Sequence, residues 1–284
     1  MTENKKIVVL GGRGMLGTDI IKSLEQRGCR PAGLDLPEFD ICDADQLKAA
    51  VETADILINC AAYTNVEKAE SDRQAAYKIN SDAVGMLGEF AREKDIPVIH
   101  ISTDFVFDGS GDRPYTEEDA PNPISVYGAS KLAGEQKLIK SRARACIIRV
   151  QWTYGHAGTN FIKKLFEFAK TRDTLKVVDD QIGSPTATME VAAAICRIID
   201  IDGQFPVGIF HFAASGYVSR YEMAKFAFEK KGMSTVINPC KSNEFAAAAA
   251  RPLNSRFECA KIERLLNEKI RPWPEPLQEF LAQL

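Results

Sequence analysis

Apolar residues fall along this chain in two alternating rhythms. Ile7-Val8-Val9-Leu10, Asp55-Ile56-Leu57-Ile58-Asn59-Cys60, Ile96 to Ser102 and Ala145 to Val150 are short runs, nearly unbroken and rich in β-branched residues. Such runs predict strands buried on both faces, as in a parallel sheet. Between them, Thr18 to Leu24, Ala44 to Thr53, roughly Asp72 to Lys94, and Ser125 to Arg142 show helical spacing. Strands alternating with helices imply right-handed crossovers and a ligand crevice at the carboxyl ends of the strands. Chemistry is therefore expected just after strands.

The first such junction is rich in glycine. Gly11-Gly12-Arg13-Gly14-Met15-Leu16-Gly17 follows the first strand and opens the first helix. Glycines at 11, 14 and 17 let the chain turn tightly, let a pyrophosphate approach bare backbone N–H groups, and let helix and strand pack closely. Arg30 to Asp35 reads as a second, shorter strand, and an acid about 20 residues past such a loop is placed to hold a ribose 2′-hydroxyl. Asp35 is the candidate. Arg13 points the other way, since a guanidinium there can pair with a 2′-phosphate. The cofactor expectation is therefore NADPH or NADH.

Beyond residue 150 the rhythm loosens. Turn-rich stretches at 153–160, 179–186 and 202–208 separate helices near 159–171, 188–199, 219–231 and 274–283. The fold class is α/β: a Rossmann-type doubly wound parallel sheet with a smaller, mixed α/β substrate-binding lobe. The dinucleotide-binding domain is assigned to 1–152, completed by a return segment near 187–213, and the substrate lobe to 153–186 and 214–284.

Composition narrows the partners. In 284 residues the formal net charge is −3 with no basic block, which offers no footprint for nucleic acid or an anionic membrane. The start, Met1 to Lys6, is polar and its apolar run is only strand length, so neither a signal peptide nor a membrane span is expected, and the cytoplasm is the default. Seven cysteines, at 29, 42, 60, 146, 196, 240 and 259, are scattered singly and predict reduced packing residues. Of three histidines, His100 and His211 sit inside strand-like runs and read as satisfied core or edge residues. No metal site is expected.

Tyr127-Gly128-Ala129-Ser130-Lys131 begins a helix and follows the strand end Ser102-Thr103-Asp104. Spacing of i and i+4 puts phenol and ammonium on one helix face, where the positive charge is expected to draw the tyrosine pKa from about 10 toward neutrality. Tyr127 becomes a candidate acid or base.

With its glycine loop, strand-end hydroxyl and Tyr-x-x-x-Lys pair, the chain resembles the extended short-chain dehydrogenase/reductase superfamily, and within it the dTDP-4-dehydrorhamnose reductase family. The likeness runs nearly end to end, through 59–70, 102–109, 126–135, Gln151 to Gly155, Asp180 to Thr186 and Arg251 to Ser255. It implies Tyr127 as proton donor, Lys131 as the residue that tunes it and grips the nicotinamide ribose, and Thr103 as the hydroxyl orienting the substrate oxygen. It further implies Asp104 and Trp152 as sugar-nucleotide contacts and Asp40-Ile41 at the adenine. Ala61, Ala62, Tyr63 and Thr64 would lie beneath the cofactor, with Ser102 beside it. The implied reaction is reduction of a C4 ketone on a nucleotide-linked 6-deoxy sugar by an enzyme that can be a homodimer. Dehydratases of the superfamily carry an acid where this chain has Phe105, which disfavours dehydration; a 4-epimerase or a non-catalytic nucleotide-binding regulatory subunit shares the remaining features. Arg251 and Arg256 can meet a diphosphate or form exposed salt bridges.

Overall fold

In the computed structural model, which describes residues 5–284, a six-stranded sheet in the order β10-β5-β4-β3-β1-β2 forms the centre. Its strands are β1 (Ile7–Leu10), β2 (Ala32–Leu34), β3 (Ile56–Asn59), β4 (Val98–Thr103), β5 (Ala145–Val150) and, after a long excursion, β10 (Gly208–Phe212). All neighbours pair in parallel. Every residue of β1, β3 and β5 is buried, which explains their uninterrupted apolar runs. Met1 to Asn4, and with them the polar start, lie outside the described residues.

Helices cover both faces. On one side α1 (Met15–Glu25) packs against α8 (Thr188–Ile199), burying Ile20, Leu24, Val191 and Ile195 with β1, β3 and β5. On the other, α2 (Ala44–Glu52), α5 (Ala83–Glu93) and α6 (Val126–Ser141) bury Leu47, Leu87 and Leu138 against the sheet. Each such side chain contributes roughly 1.5–3 kcal/mol of burial free energy. Asp43 caps α2 through the N–H groups of Asp45 and Gln46. Ser125 caps α6, and the C-cap Arg142 just past its end turns left-handed at φ 61°.

The long helix expected from Asp72 to Lys94 is interrupted. The chain instead runs as α3 (Val66–Ser71), α4 (Arg73–Tyr77), a π-helical turn at Lys78–Asp82, and then α5. The turn has a tertiary cause. Asn80 is wholly buried, and its carboxamide accepts from the Tyr63 N–H at 2.8 Å and donates to the Tyr63 carbonyl at 3.1 Å and to Ser130 Oγ at 3.0 Å. A Cβ at Gly134 of α6 would meet the Asn80 carbonyl oxygen at 2.0 Å, so α6 lies directly on the turn. π-turns of this kind often mark functional sites.

The remaining chain forms three two-stranded pieces. β6 (Thr153–Tyr154) pairs with β9 (Thr186–Ala187), β7 (Thr174–Val178) with β12 (Val236–Cys240), and β8 (Ile182–Gly183) with β11 (Val218–Ser219). Four helices complete it: α7 (Phe161–Ala169), α9 (Arg220–Lys230), α10 (Ala260–Leu266) and α11 (Pro274–Ala282). α7, α9 and α11 share an apolar cluster with Trp152 and Tyr154 that is separate from the sheet's core. α10 packs instead beside β10, with Ile262 in the core shared by α1 and α8. None of the helices described is long and apolar enough to cross a membrane.

Candidate active site

The carboxyl ends of β1 to β5 lie along one edge, and the chain reverses direction across β1, whose neighbours are β2 and β3. That switch point opens the crevice in which ligands of such sheets bind. Gly11 has φ +75°, and a Cβ there would come within 2.6 Å of the Ala61 backbone nitrogen, so the glycine loop touches the loop leaving β3. A Cβ at Gly17 would meet the Gly11 carbonyl oxygen at 2.1 Å; only glycine lets α1 start this close. At Gly14, the N-cap, no side chain caps α1, and the helix has no acid in its first turn. Bare N–H groups at the positive end of a helix fit a pyrophosphate.

Asp35 and Arg13 meet at the glycine loop. Asp35 accepts from the backbone N–H of Arg13 at 2.9 Å and of Leu36 at 2.8 Å, so its carboxylate stands beside the loop. The Arg13 side chain, 62% exposed, pairs with Glu38 at 2.7 Å and donates to the Leu36 carbonyl. Glu38, which sequence reasoning missed, thus competes for the guanidinium. Met15 faces Gly155 of the second lobe, and Leu16 packs on the sheet's core.

The other expected contacts separate into two groups. Ala61, Ala62 and Tyr63 are half-buried where the β3 loop runs under the glycine loop, whereas Thr64 is exposed. Ala61 donates to Asn59 Oδ1, and Asn80 fastens Tyr63. Asp40 already accepts from the Cys42 N–H at 2.9 Å, and Ile41 is 6% exposed in the core with Phe39, so the sequence places this pair in a tight turn.

Thr103, Tyr127 and Lys131 meet because α6 crosses the end of β4. A Cβ at Gly128 would lie 2.0 Å from the Phe105 carbonyl oxygen, so the glycine beside Tyr127 permits contact with the residue two past Thr103. The Phe105 ring meets Tyr127 edge-on, at 5.5 Å between centroids. Lys131 is 2% exposed, and its Nζ donates to the Ile101 carbonyl at 2.6 Å. Burial pulls its pKa down to about 8, partly offset by Glu135.

The expectation that Lys131 draws Tyr127 toward neutrality is not met. Burial pushes the phenol up to about 12; the Thr103 hydroxyl lowers it, and the Asp104 charge raises it. The ammonium is committed to a strand carbonyl, so desolvation dominates. Tyr127 is held protonated, the form a proton donor requires.

Thr103 Oγ1 donates to Asp104 Oδ1 at 3.0 Å and accepts from the Phe105 N–H. Asp104, 3% exposed, has a raised pKa from burial, countered by hydrogen bonds from Ser255 and Thr103 and by the Arg220 charge. Ser255, from the segment between β12 and α10, donates to Asp104 Oδ2 at 2.6 Å. Sequence reasoning had Ser255 only inside a resembling stretch and had no signal for Asn80 or Arg220. Trp152 is 8% exposed with φ 46°, and the Arg220 guanidinium covers its ring at 3.6 Å. It stands in the cleft as a packed residue with one face already taken. Arg251 pairs with Glu67, and Arg256 bonds Asn254 and the Asp112 carbonyl.

Ser102 Oγ and His100 Nε2 are buried without partners among the described residues. His100 is therefore only half satisfied, through Asn59 at 3.1 Å, which corrects the reading of it as a fully satisfied core residue. His211 has both ring nitrogens engaged, by Tyr115 and Arg149. Among the described residues no disulfide joins any of the seven cysteines. Among the described residues no group of three or more His, Cys, Asp or Glu is placed to hold a metal ion.

Comparison with known proteins agrees with this geometry. Residues 5–284 match the family described as RmlD substrate binding domain. A dTDP-4-dehydrorhamnose reductase of Sinorhizobium fredii is 36% identical, covering 98% of this chain and 97% of its own. The spore coat polysaccharide biosynthesis protein SpsK of Bacillus subtilis is 34% identical with the same coverage of both. A crystal structure of dTDP-4-dehydrorhamnose reductase from Bacillus anthracis in complex with NADP superposes with a TM-score of 0.93 at 33% identity, covering 99% of each chain. By fold and by kinship over nearly its whole length, the chain belongs to the dTDP-4-dehydrorhamnose reductase family.

Proposed function

We propose that the chain reduces the C4 ketone of dTDP-4-dehydro-L-rhamnose to the alcohol of dTDP-L-rhamnose, a precursor for cell-surface polysaccharide. The observation that carries this reading is a buried Tyr127 hydrogen-bonded to Thr103 where α6 crosses the end of β4, in a sheet whose first helix opens on a bare glycine loop. NADPH or NADH, when bound, supplies the hydride to the carbonyl carbon. Thr103 orients the ketone oxygen, and Tyr127 gives its phenolic proton to that oxygen, so hydride plus proton convert C=O to CH–OH. Lys131, charged below about pH 8, stands on the same face of α6 to bind the nicotinamide ribose and restore the proton. Asp104, Trp152 and the Ser102 hydroxyl complete the binding surface.

In this reading residues 1–152 with the return segment 187–213 hold the cofactor, and 153–186 with 214–284 hold the sugar nucleotide. The place of β10 in the main sheet and the packing of α8 on α1 support that division. Both reactants are charged metabolites confined to the compartment that makes them, which supports a cytoplasmic site of action. A homodimer is the assembly we assign. The concave outer face of α5 and α6 carries Glu89 and Glu93 beside Arg92 and Lys140, a charge pattern that can meet its own copy across a two-fold axis.

The test is a spectrophotometric assay of NADPH and NADH oxidation against a panel of 4-keto nucleotide sugars. Stoichiometric oxidation with dTDP-4-dehydrorhamnose supports the reading. Binding without oxidation, or epimerisation with no net loss of reduced cofactor, would replace it.

A further inference from the structure

Of the arginines at 149, 220, 251 and 256, three are neutralised or bonded. Arg149 forms a bidentate pair with Glu135, Arg251 pairs with Glu67, and Arg256 donates to Asn254 and to the Asp112 carbonyl. Arg220 differs. Among the described residues its guanidinium has neither an ion-pair partner nor a hydrogen-bond acceptor. It is half-buried, over the Trp152 ring at 3.6 Å and near Phe161 at 5.0 Å.

The position is unfavourable in two respects. A guanidinium carries five N–H donors in a planar fork, and leaving them without acceptors in a partly desolvated place costs free energy. Arg220 is also the first residue of α9, at the positive end of the helix dipole, where a cation is disfavoured. Burial accordingly lowers its pKa to about 9, with Asp104 opposing and Arg251 reinforcing that shift. Asp104 is the facing acid, but it lies beyond ion-pair distance, and its oxygens already accept from Ser255 and Thr103. Arg220 therefore holds an unpaired charge over Trp152, with Asp104 and Arg251 near enough to act on it electrostatically.

Resting on the nucleotide-sugar reading above, we propose that Arg220 binds the diphosphate of the substrate, with Trp152 holding the guanidinium flat so that its fork meets two phosphate oxygens. Arginine suits this because planar bidentate recognition of phosphate adds geometry to charge. Stacking on an aromatic face fixes the fork before the ligand arrives. Asp104, next to Thr103, then separates the reacting ketone from the phosphate end. The Trp152 ring serves the substrate through Arg220, consistent with its own slight exposure.

Calorimetric titration with dTDP and with thymidine, on the full chain and on its Arg220→Gln and Arg220→Lys variants, tests the proposal. In Arg220→Gln, dTDP binding weakens by about 10- to 100-fold, the factor for losing a charged hydrogen-bonding group. Thymidine and NADPH affinities stay unchanged, and the substrate KM rises with kcat nearly constant. Arg220→Lys, which keeps the charge without the fork, falls between, and gives the same reading should the glutamine variant not fold. Equal dTDP affinity in wild type and variants, or an equal loss for dTDP and thymidine, overturns the proposal while leaving the reductase reading in place. Failure of the wild type to bind dTDP overturns both.

Discussion

Ser255 Oγ donates to Asp104 Oδ2 at 2.6 Å, and this bond ties the segment between β12 and α10 to the acid that neighbours Thr103. Because Asp104 is almost wholly buried, its ionised form depends on that donor, on Thr103 and on the Arg220 charge. Ser255→Ala removes a bond to a charged acceptor, worth roughly 1.5–3 kcal/mol. Expected outcomes are a loss in kcat/KM of about 10-fold or more and an acidic limb of the pH–rate profile moved upward, since the lost bond had been lowering the Asp104 pKa. Unchanged kinetics and an unmoved limb would refute the coupling.

Tyr127→Phe keeps the ring that packs on Phe105 and removes the phenolic hydroxyl that supplies the proton. NADPH titration should give wild-type affinity, while kcat falls by about 10²- to 10⁴-fold, the usual contribution of a positioned acid. With the phenol at about 12 and Lys131 at about 8, the alkaline loss of activity belongs to the lysine. Activity should be full where Lys131 is charged and fall as pH rises through about 8. A single alkaline limb near 12 would reverse that assignment.

Beside the glycine loop stand Asp35, half-buried, and the exposed pair Arg13 and Glu38, and these three are predicted to set the preference between NADH and NADPH. Two acids facing one base oppose a 2′-phosphate. Glu38→Gln frees the guanidinium, and the ratio of kcat/KM for NADPH over NADH should rise several-fold, whereas Arg13→Ala should lower it by about the same factor. Initial rates with each cofactor decide; a ratio unmoved by either change removes both residues from cofactor selection.

Much of this was legible in the chain because it is local. β1, the glycine loop and α1 are consecutive, so periodicity and glycine spacing suffice, and Tyr127 and Lys131 share a helix face by spacing alone. Asn80, Ser255 and Arg220 were not legible. Asn80 bonds residues 17 and 50 positions away, and Ser255 reaches an acid 151 positions away. No window of helical spacing contains such partners, which is why an apparently continuous helix at 72–94 turned out to hold a π-turn. The phenol's shift was misjudged for a related reason: spacing showed where the ammonium stood along the helix but not that the Ile101 carbonyl, on another element, had taken it.

Asn80→Ala leaves the Tyr63 N–H and carbonyl and the Ser130 hydroxyl without their carboxamide partner in a fully buried place. Unsatisfied buried groups cost roughly 1–3 kcal/mol each, with partial relaxation expected. Urea unfolding should show a loss of about 2–4 kcal/mol, and the Kd for NADPH should rise because the 61–64 loop loses its anchor. A loss of stability with unaltered cofactor affinity would confine Asn80 to a structural role.

Glu135 and Arg149 are each 1% exposed and joined by bonds of 2.9 and 2.6 Å, with Phe107 and His211 beside the guanidinium. Breaking such a pair strands a charge, so Glu135→Leu or Arg149→Met alone should each cost about 3–5 kcal/mol, while both together recover much of that loss. The pair also serves the site. Glu135 is one helical turn beyond Lys131 and raises its pKa against burial. The double variant, stable enough to assay, lacks this support, so its alkaline limb should move below the wild-type value of about 8. Stability restored with the limb in place would show that the ion pair holds α6 to β5 and leaves the charge of Lys131 to its own surroundings.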